Sequence, residues 1–322
     1  MIVDVDNDYS FPRDLARLYL LFLRVFLMSR TLRFSGVAIL LVALVATYLL
    51  RWDERAWLWL EESTAPTEQH STSLWLSGYE AAIQIEVPGF EEEEFSDLAF
   101  NPVTRTLFTV SGKKPLLIEL SLEGKVLRSI PVIGAANLEG VTAMDDGYMA
   151  ITDERQHNLS IFRVDASTKE LHTEQFVQQV DLGHTEEPNK GFEGLVWDKR
   201  NQRFLLGKEK YPVMIYSLPS DGRKVTGELQ ELASMERYMT DLSALTLDPR
   251  SGNIVVLSQE SHLLLELDEQ YQASEFIALL RGLNGLDQTI PQAEGVALDD
   301  VGNLYMVSEH NLFYVFHKES AQ

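Results

Sequence analysis

One pattern recurs five times in this chain of 322 residues. The copies are FSDLAFNPVTRTLFTVSG from Phe95, LEGVTAMDDGYMAITDE from Leu138, FEGLVWDKRNQRFLLGKE from Phe192, LSALTLDPRSGNIVVLSQE from Leu242 and AEGVALDDVGNLYMVSE from Ala293. Each opens on a small or acidic residue: Ser96, Glu139, Glu193, Ser243 and Glu294. A short apolar run follows, then a turn rich in Asp, Asn, Pro and Gly, then a second apolar run ending in a polar cluster. A third, alternating run completes each copy: PLLIELS, NLSIFRVD, VMIYSLP, LLLELDE and LFYVFHK. The openings are 43, 54, 50 and 51 residues apart.

Short runs of Val, Ile, Leu, Phe and Tyr between turn residues read as strands. Three or four strands per repeat of about 40–55 residues is the pattern of a β-propeller blade. No long helical period follows residue 80, which disfavours a βα arrangement. A β-sandwich would give no reason for five copies. The last copy supplies only three strands before the chain stops at Gln322, while an orphan run, Ala81–Val87, precedes the first. That run is expected to complete the last blade, closing the ring and covering an open sheet edge. The expected fold is therefore an all-β five-bladed propeller over 80–322, with six blades as the alternative if a long inter-repeat segment forms another.

Charge and composition narrow the function. The chain has no cysteine, which excludes a thiol nucleophile, a zinc–cysteine site, an iron–sulfur cluster and a disulfide framework. Its formal charge is −22, which argues against nucleic acid as partner because that interaction rests on phosphate neutralisation. The acidity is uneven. Residues 1–79 hold seven arginines, no lysine and nine acids, leaving 20 basic and 40 acidic residues in 80–322.

The N-terminal part points to a membrane. Phe34–Leu50 is 17 residues without a charge, near the lower limit of about 17–25 for a spanning helix. Five arginines, from Arg13 to Arg33, precede it, which places the N-terminus in the cytoplasm and the propeller on the exported side. The expected organisation is a leader (1–33) with an amphipathic helix over Leu15–Met28, a transmembrane signal-anchor (34–50), and an interfacial segment and linker (51–79) carrying Trp52, Trp57 and Trp59. A cleaved signal peptide is the competing reading.

The EG-(V/L)-x-x-x-D inner strands, the exported propeller and the single N-terminal membrane segment resemble the SdiA-regulated (YjiK-like) family of bacterial proteins. The EG opening stands at Glu139-Gly140, Glu193-Gly194 and Glu294-Gly295, while Ser96-Asp97 and Ser243-Ala244 replace it elsewhere. The resemblance implies a five-bladed propeller distantly similar to NHL-repeat propellers, with a bound calcium ion; the arginine-marked anchor sets the expected location as the bacterial inner membrane, with the propeller facing the periplasm or outer surface.

Strand order gives a site independently of that likeness. Strand one of each blade starts where strand two ends, because they are antiparallel neighbours. Glu139 is thus expected near Asp153 and Glu154, Glu193 near Glu209, and Glu294 near Glu309. Ser96 or Asp97, Ser243 and Glu260 would join them at one channel mouth. Converging carboxylates without cysteine suit a hard cation, above all Ca²⁺ with about 6–8 oxygen ligands. His157, His262 and His310 fall near the same mouth and are candidates for a general base. Lys208 and Lys210 flank Glu209 and are expected to make surface pairs. Glu91–Glu94 reads as a solvated loop, and Asp145-Asp146-Gly147 and Asp299-Asp300 as hairpin turns. The expected function is a cation-binding module or scaffold of the bacterial envelope, with an envelope protein or small molecule as partner. The alternative is a calcium-dependent hydrolase or lyase acting on a lactone or phosphoester at the same mouth.

Overall fold

A computed structural model describes residues 30–49, 55–56, 58–60, 73–183 and 191–318. The chain divides into two units, Met1–Ala56 and Trp57–Gln322. The leader up to residue 29 and the polar stretch 61–72 lie outside the described residues.

The first unit contains α1 (Arg30–Leu49). The helix covers the apolar run of the sequence, where Ala and Leu favour helix and no proline interrupts it. Its apolar side chains are exposed, among them Val37, Ile39, Leu40 and Val42. Among the described residues no helix is long and apolar enough to cross a membrane.

The second unit is a five-bladed propeller. β1 (Tyr79–Glu86) comes first. Blade one holds β2 (Phe95–Asn101), β3 (Thr106–Ser111), β4 (Leu116–Leu120) and β5 (Val126–Ile133). Blade two holds β6 (Leu138–Ala143), β7 (Tyr148–Asp153) and β8 (Asn158–Arg163); the short β9 (Leu171–His172) intervenes before its outer strand, β10 (Gln178–Asp181). Blade three holds β11 (Phe192–Asp198), β12 (Arg203–Lys208), β13 (Met214–Pro219) and β14 (Gln230–Ser234). Blade four holds β15 (Ala244–Leu247), β16 (Ile254–Ser258), β17 (Leu263–Leu267) and β18 (Ala273–Ala278). Blade five holds β19 (Gln292–Leu298), β20 (Leu304–Glu309) and β21 (Leu312–Lys318), and its fourth strand is β1.

The closure follows the sequence expectation. β1 runs antiparallel to β21, from Tyr79 opposite Lys318 to Glu86 opposite Leu312. The ring has five blades, and among the described residues the inter-repeat segments form no sixth. The longest of them instead sends β9 to pair in parallel with β5, Leu171 opposite Val132, before returning as β10. Blade one thereby gains a fifth strand from the blade-two segment.

Cohesion around the ring is apolar. Five clusters of buried side chains each fill the space between two neighbouring blades. Phe108 and Ile130 of blade one meet Val141 and Phe162 of blade two; Tyr305 and Phe313 of blade five meet Phe95 and Ile118 of blade one. A fully buried side chain of this size stabilises by about 1.5–3 kcal/mol relative to leaving it in water. A disulfide-free chain of this length holds together by such layers.

The segment read as linker (51–79) needs correction at both ends of its described part. Leu58 belongs to the cluster between blades three and four, and Leu74 and Leu76 to that between blades four and five. The anchor for the latter is Glu266 of β17, fully buried, whose carboxylate accepts from the Leu74 amide at 2.9 Å, from Ser73 Oγ at 2.7 Å and from Asn253 Nδ2 at 2.7 Å. The apolar letters of LWLSG outweigh the linker-like composition before them.

Candidate functional site

The Glu-Gly repeat has a geometric cause. The pairing of inner with second strand shifts register at the Glu of each motif: between Leu138 and Val141, between Phe192 and Gly194, and between Ala293 and Gly295. Blade one shifts at the matching place, between Ser96 and Leu98. These are β-bulges, which leave one residue out of the ladder and re-aim its side chain. Glu193, Glu294 and Asp97 are the skipped residues, and Glu139 is skipped together with Gly140. The glycine that follows is required by crowding at the channel axis. A Cβ on Gly295 would stand 2.5 Å from the Asp97 carbonyl carbon, and one on Gly194 would stand 2.9 Å from the Leu245 amide nitrogen. In blades two, three and five the inner strand closes against the next because a side chain is missing there.

The bulges bring the predicted acids together. Glu193 is influenced most by burial, which favours the neutral form, and then by the charges of Glu294, Glu209, Glu139 and Glu154. Its pKa is driven well above the usual carboxylate range. Glu294 is driven the same way by burial and by Glu309, Glu139, Asp241 and Glu209. Burial raises Glu139 to about 8, with Glu154 and Glu309 adding to the rise and hydrogen bonds from Ser96 and Asn137 opposing it. Burial also raises Glu309, beside Glu94, while His310 opposes the rise. Glu193 Oε2 is buried and has no hydrogen-bond partner. Such an atom normally costs about 1–3 kcal/mol, which a ligand would recover.

Six of the seven predicted acids therefore share one mouth: Glu139, Glu154, Glu193, Glu209, Glu294 and Glu309. Glu154 reaches the ring from the end of β7, where its Oε1 accepts from the Gly191 amide at 3.0 Å and its Oε2 from Asn137 Nδ2 at 3.1 Å. Glu209 lies 3.5 Å from Lys210 Nζ, which also holds Glu260 at 2.5 Å. Asp153 is the exception. Its two oxygens take the amides of Ala136, Asn137 and Gln156, which caps the loop leading into β6. Among the described residues, no group of three or more Asp, Glu or His side chains is close enough to hold a metal ion. The ring stands as separate carboxyls with oxygen-only donor chemistry, and burial shifts Glu139, Glu193, Glu294 and Glu309 toward the neutral form.

The remaining candidates have other duties. Asp97 lies deeper than the ring. Its Oδ2 accepts from the Val141 amide at 3.0 Å and the Leu195 amide at 3.1 Å, so one carboxyl ties three inner strands across the channel. Burial pushes its pKa well up. Ser243 Oγ donates to the Ala293 carbonyl at 2.7 Å and fastens blade four to blade five. Lys208 is buried and donates to the carbonyls of Lys210 and Tyr211, a backbone role rather than a surface pair. His157 and His262 sit in the turns after β7 and β16, their amides donating to the Glu154 and Gln259 carbonyls; His310 accepts from the Phe95 amide. Glu93, read as solvated, is buried and pairs with Lys114 at 2.5 Å.

Two members of the site were not apparent from sequence. Asp241, just ahead of β15, accepts from Ser258 Oγ and from the amides of Gln259 and Glu260. Burial raises its pKa to about 6, and it acts on Glu294. Asn137 donates from Nδ2 to both Glu139, at 2.6 Å, and Glu154. Its position two residues before Glu139 was the available signal.

Several solved structures match this chain at low identity. The nidogen/laminin complex matches with 18% identity and a TM-score of 0.45, over 66% of this chain and 72% of that one. A structural genomics protein of unknown function from Bacteroides thetaiotaomicron matches with 13% identity and a TM-score of 0.47, over 68% of this chain and 58% of that one. Virginiamycin B lyase from Staphylococcus aureus matches with 10% identity and a TM-score of 0.41, over 71% of this chain and 68% of that one. Sequence comparison is more specific: the SdiA-regulated family model matches residues 71–317, the whole propeller from the segment held by Glu266 to the end of β21. The chain belongs to the SdiA-regulated family.

Proposed function

We propose that this protein is a propeller-based binding module that takes a hard divalent cation, Ca²⁺ first, at its acidic mouth. The convergence of Glu139, Glu193 and Glu294 on three equivalent bulges carries the reading, with the unpartnered Oε2 of Glu193 at its centre. Glu154, Glu209 and Glu309 would complete the oxygen set. A divalent charge would offset the burial and mutual repulsion that raise the pKa values of Glu139, Glu193, Glu294 and Glu309. Binding would therefore release protons, since ligating carboxyls must ionise. The cation would give the mouth a Lewis-acidic, positively charged centre able to receive an anionic or carbonyl group of a partner.

The same proposal places the module at a membrane. Its support is the uncharged run Phe34–Leu50 behind five arginines, helical through Leu49 with exposed apolar side chains. An N-terminus in the bacterial cytoplasm and a propeller in the periplasm follow from the arginine bias. Protease added outside spheroplasts tests this orientation: the propeller should be cleaved while an N-terminal tag survives.

Melting curves test the cation. Millimolar Ca²⁺ should raise the melting temperature at pH 8 and do little at pH 5, where the carboxyls hold their protons. The double variant Glu193→Gln/Glu294→Gln should lose the rise. An unchanged melting temperature of the parent protein at pH 8 would rule the cation site out.

A further inference from the structure

The channel has a second, chemically different end. Where the inner strands finish, they enclose a cavity of about 460 Å³, within the range of about 300–1,000 Å³ usual for small-molecule sites. Its collar is built from one equivalent position of all five inner strands: Phe100, Ala143, Trp197, Leu247 and Leu298. None of these side chains carries a formal charge. The collar is reached from the mouth opposite the acidic ring, because antiparallel hairpins put strand ends and strand starts on opposite faces.

The cavity is a blind pocket rather than part of a through-channel. Asp97 lies between it and the acidic ring, its carboxyl hydrogen-bonded to β6 and β11. The residue is 1% exposed. A peptide or polymer cannot thread past it. Most charges around the rim are matched; Arg200, which also lines it, is held among the described residues only by the Ser251 carbonyl, 2.8 Å from its Nη1. Lys199 Nζ stands 2.8 Å from Asp145 Oδ1, and Arg105 Nη1 stands 2.6 Å from Asp300 Oδ2. Arg105 also lies over the Phe100 ring, 5.9 Å from its centroid. Asp198 and Asp248, at the ends of their inner strands, are held by Arg203 and Arg250. An ion entering here would find no unmatched charge of opposite sign in these pairs, whereas an apolar body would find an aromatic and aliphatic collar open to water.

We infer that this pocket is a binding site for a compact, uncharged, largely apolar small molecule, separate from the acidic mouth. Its inner wall is made of the ends of all five inner strands, and turn residues such as Pro102, Pro249 and Gly252 complete the rim. Ligand binding would be driven by apolar burial and marked by a negative heat-capacity change. The inference does not depend on the cation reading, because no carboxyl of the ring lines this pocket.

Calorimetric titration of the full chain with indole, naphthol and cyclohexanol tests it. One saturable site with a negative heat-capacity change is expected for at least one probe. Ala143→Phe, which fills the collar, should weaken that binding at least tenfold. Leu247→Phe fills it from the other side and serves if the first variant fails to fold. Absence of binding for all three probes overturns the inference. So does undiminished binding in a collar-filled variant that still melts cooperatively.

Discussion

Glu193 concentrates the conflict on which this account turns. Its carboxyl is buried among four others, and one oxygen has no partner. A carboxyl whose pKa is higher folded than unfolded favours folding while it is protonated. For Glu139 that contribution is complete below pH 4.5 and is lost as the pH climbs toward about 8. Glu193 and Glu294 shift in the same direction. The cation-free propeller should therefore lose stability as pH rises from about 5 to 8, read from melting midpoints across that range. Glu193→Gln removes one of the charges that must form, so it should raise the midpoint at pH 8 and leave it unchanged at pH 5. The gain is a few degrees, at about 2–4 °C per kcal/mol for a domain this large. Gly295 makes the complementary prediction. Gly295→Ala puts a Cβ 2.5 Å from the Asp97 carbonyl carbon and should cost about 1–3 kcal/mol in denaturant unfolding. Both halves of the Glu-Gly pair were visible as letters. Their reason was not, because a one-residue register shift leaves no mark on the apolar alternation around it.

At the scale of elements, the strands were the most legible part. All five third runs of the sequence became β4, β8, β13, β17 and β21, since alternating apolar residues between turns leave few other outcomes. The orphan run before the first repeat became β1, and the closure it makes is testable. Deleting Tyr79–Glu86 bares the edge of β21 and removes the strand that locks the last blade. Such a protein should lose its single cooperative melting transition and aggregate; one sharp transition at the original temperature would contradict this role. β9 was not legible. Two residues pairing in parallel with a strand forty positions earlier carry no periodic signal of their own. Asp153 and Glu154 show the same limit. Adjacent acids at a strand end look alike in sequence, yet the three backbone amides facing Asp153 leave only Glu154 to the ring.

For the whole molecule, the five-fold repeat fixed the ring and the ring divided its axis in two. Bulged acids gather at one mouth, Asp97 crosses the middle, and an apolar collar closes around the other. The collar was hidden because its residues look like any strand ends, and only their convergence makes a pocket. The net charge of −22 has a local expression at the acidic mouth, where burial first, and then the neighbouring carboxyls, favour the neutral forms of Glu193 and Glu294. Calorimetric titration with Ca²⁺ near pH 7, in two buffers of different ionisation enthalpy, tests that mouth most directly. One saturable site is predicted, with an observed heat that differs between the buffers because protons leave the ring, and with binding lost in Glu193→Gln/Glu294→Gln. No heat at millimolar Ca²⁺ from the folded protein, or the same heat in both buffers, would contradict it.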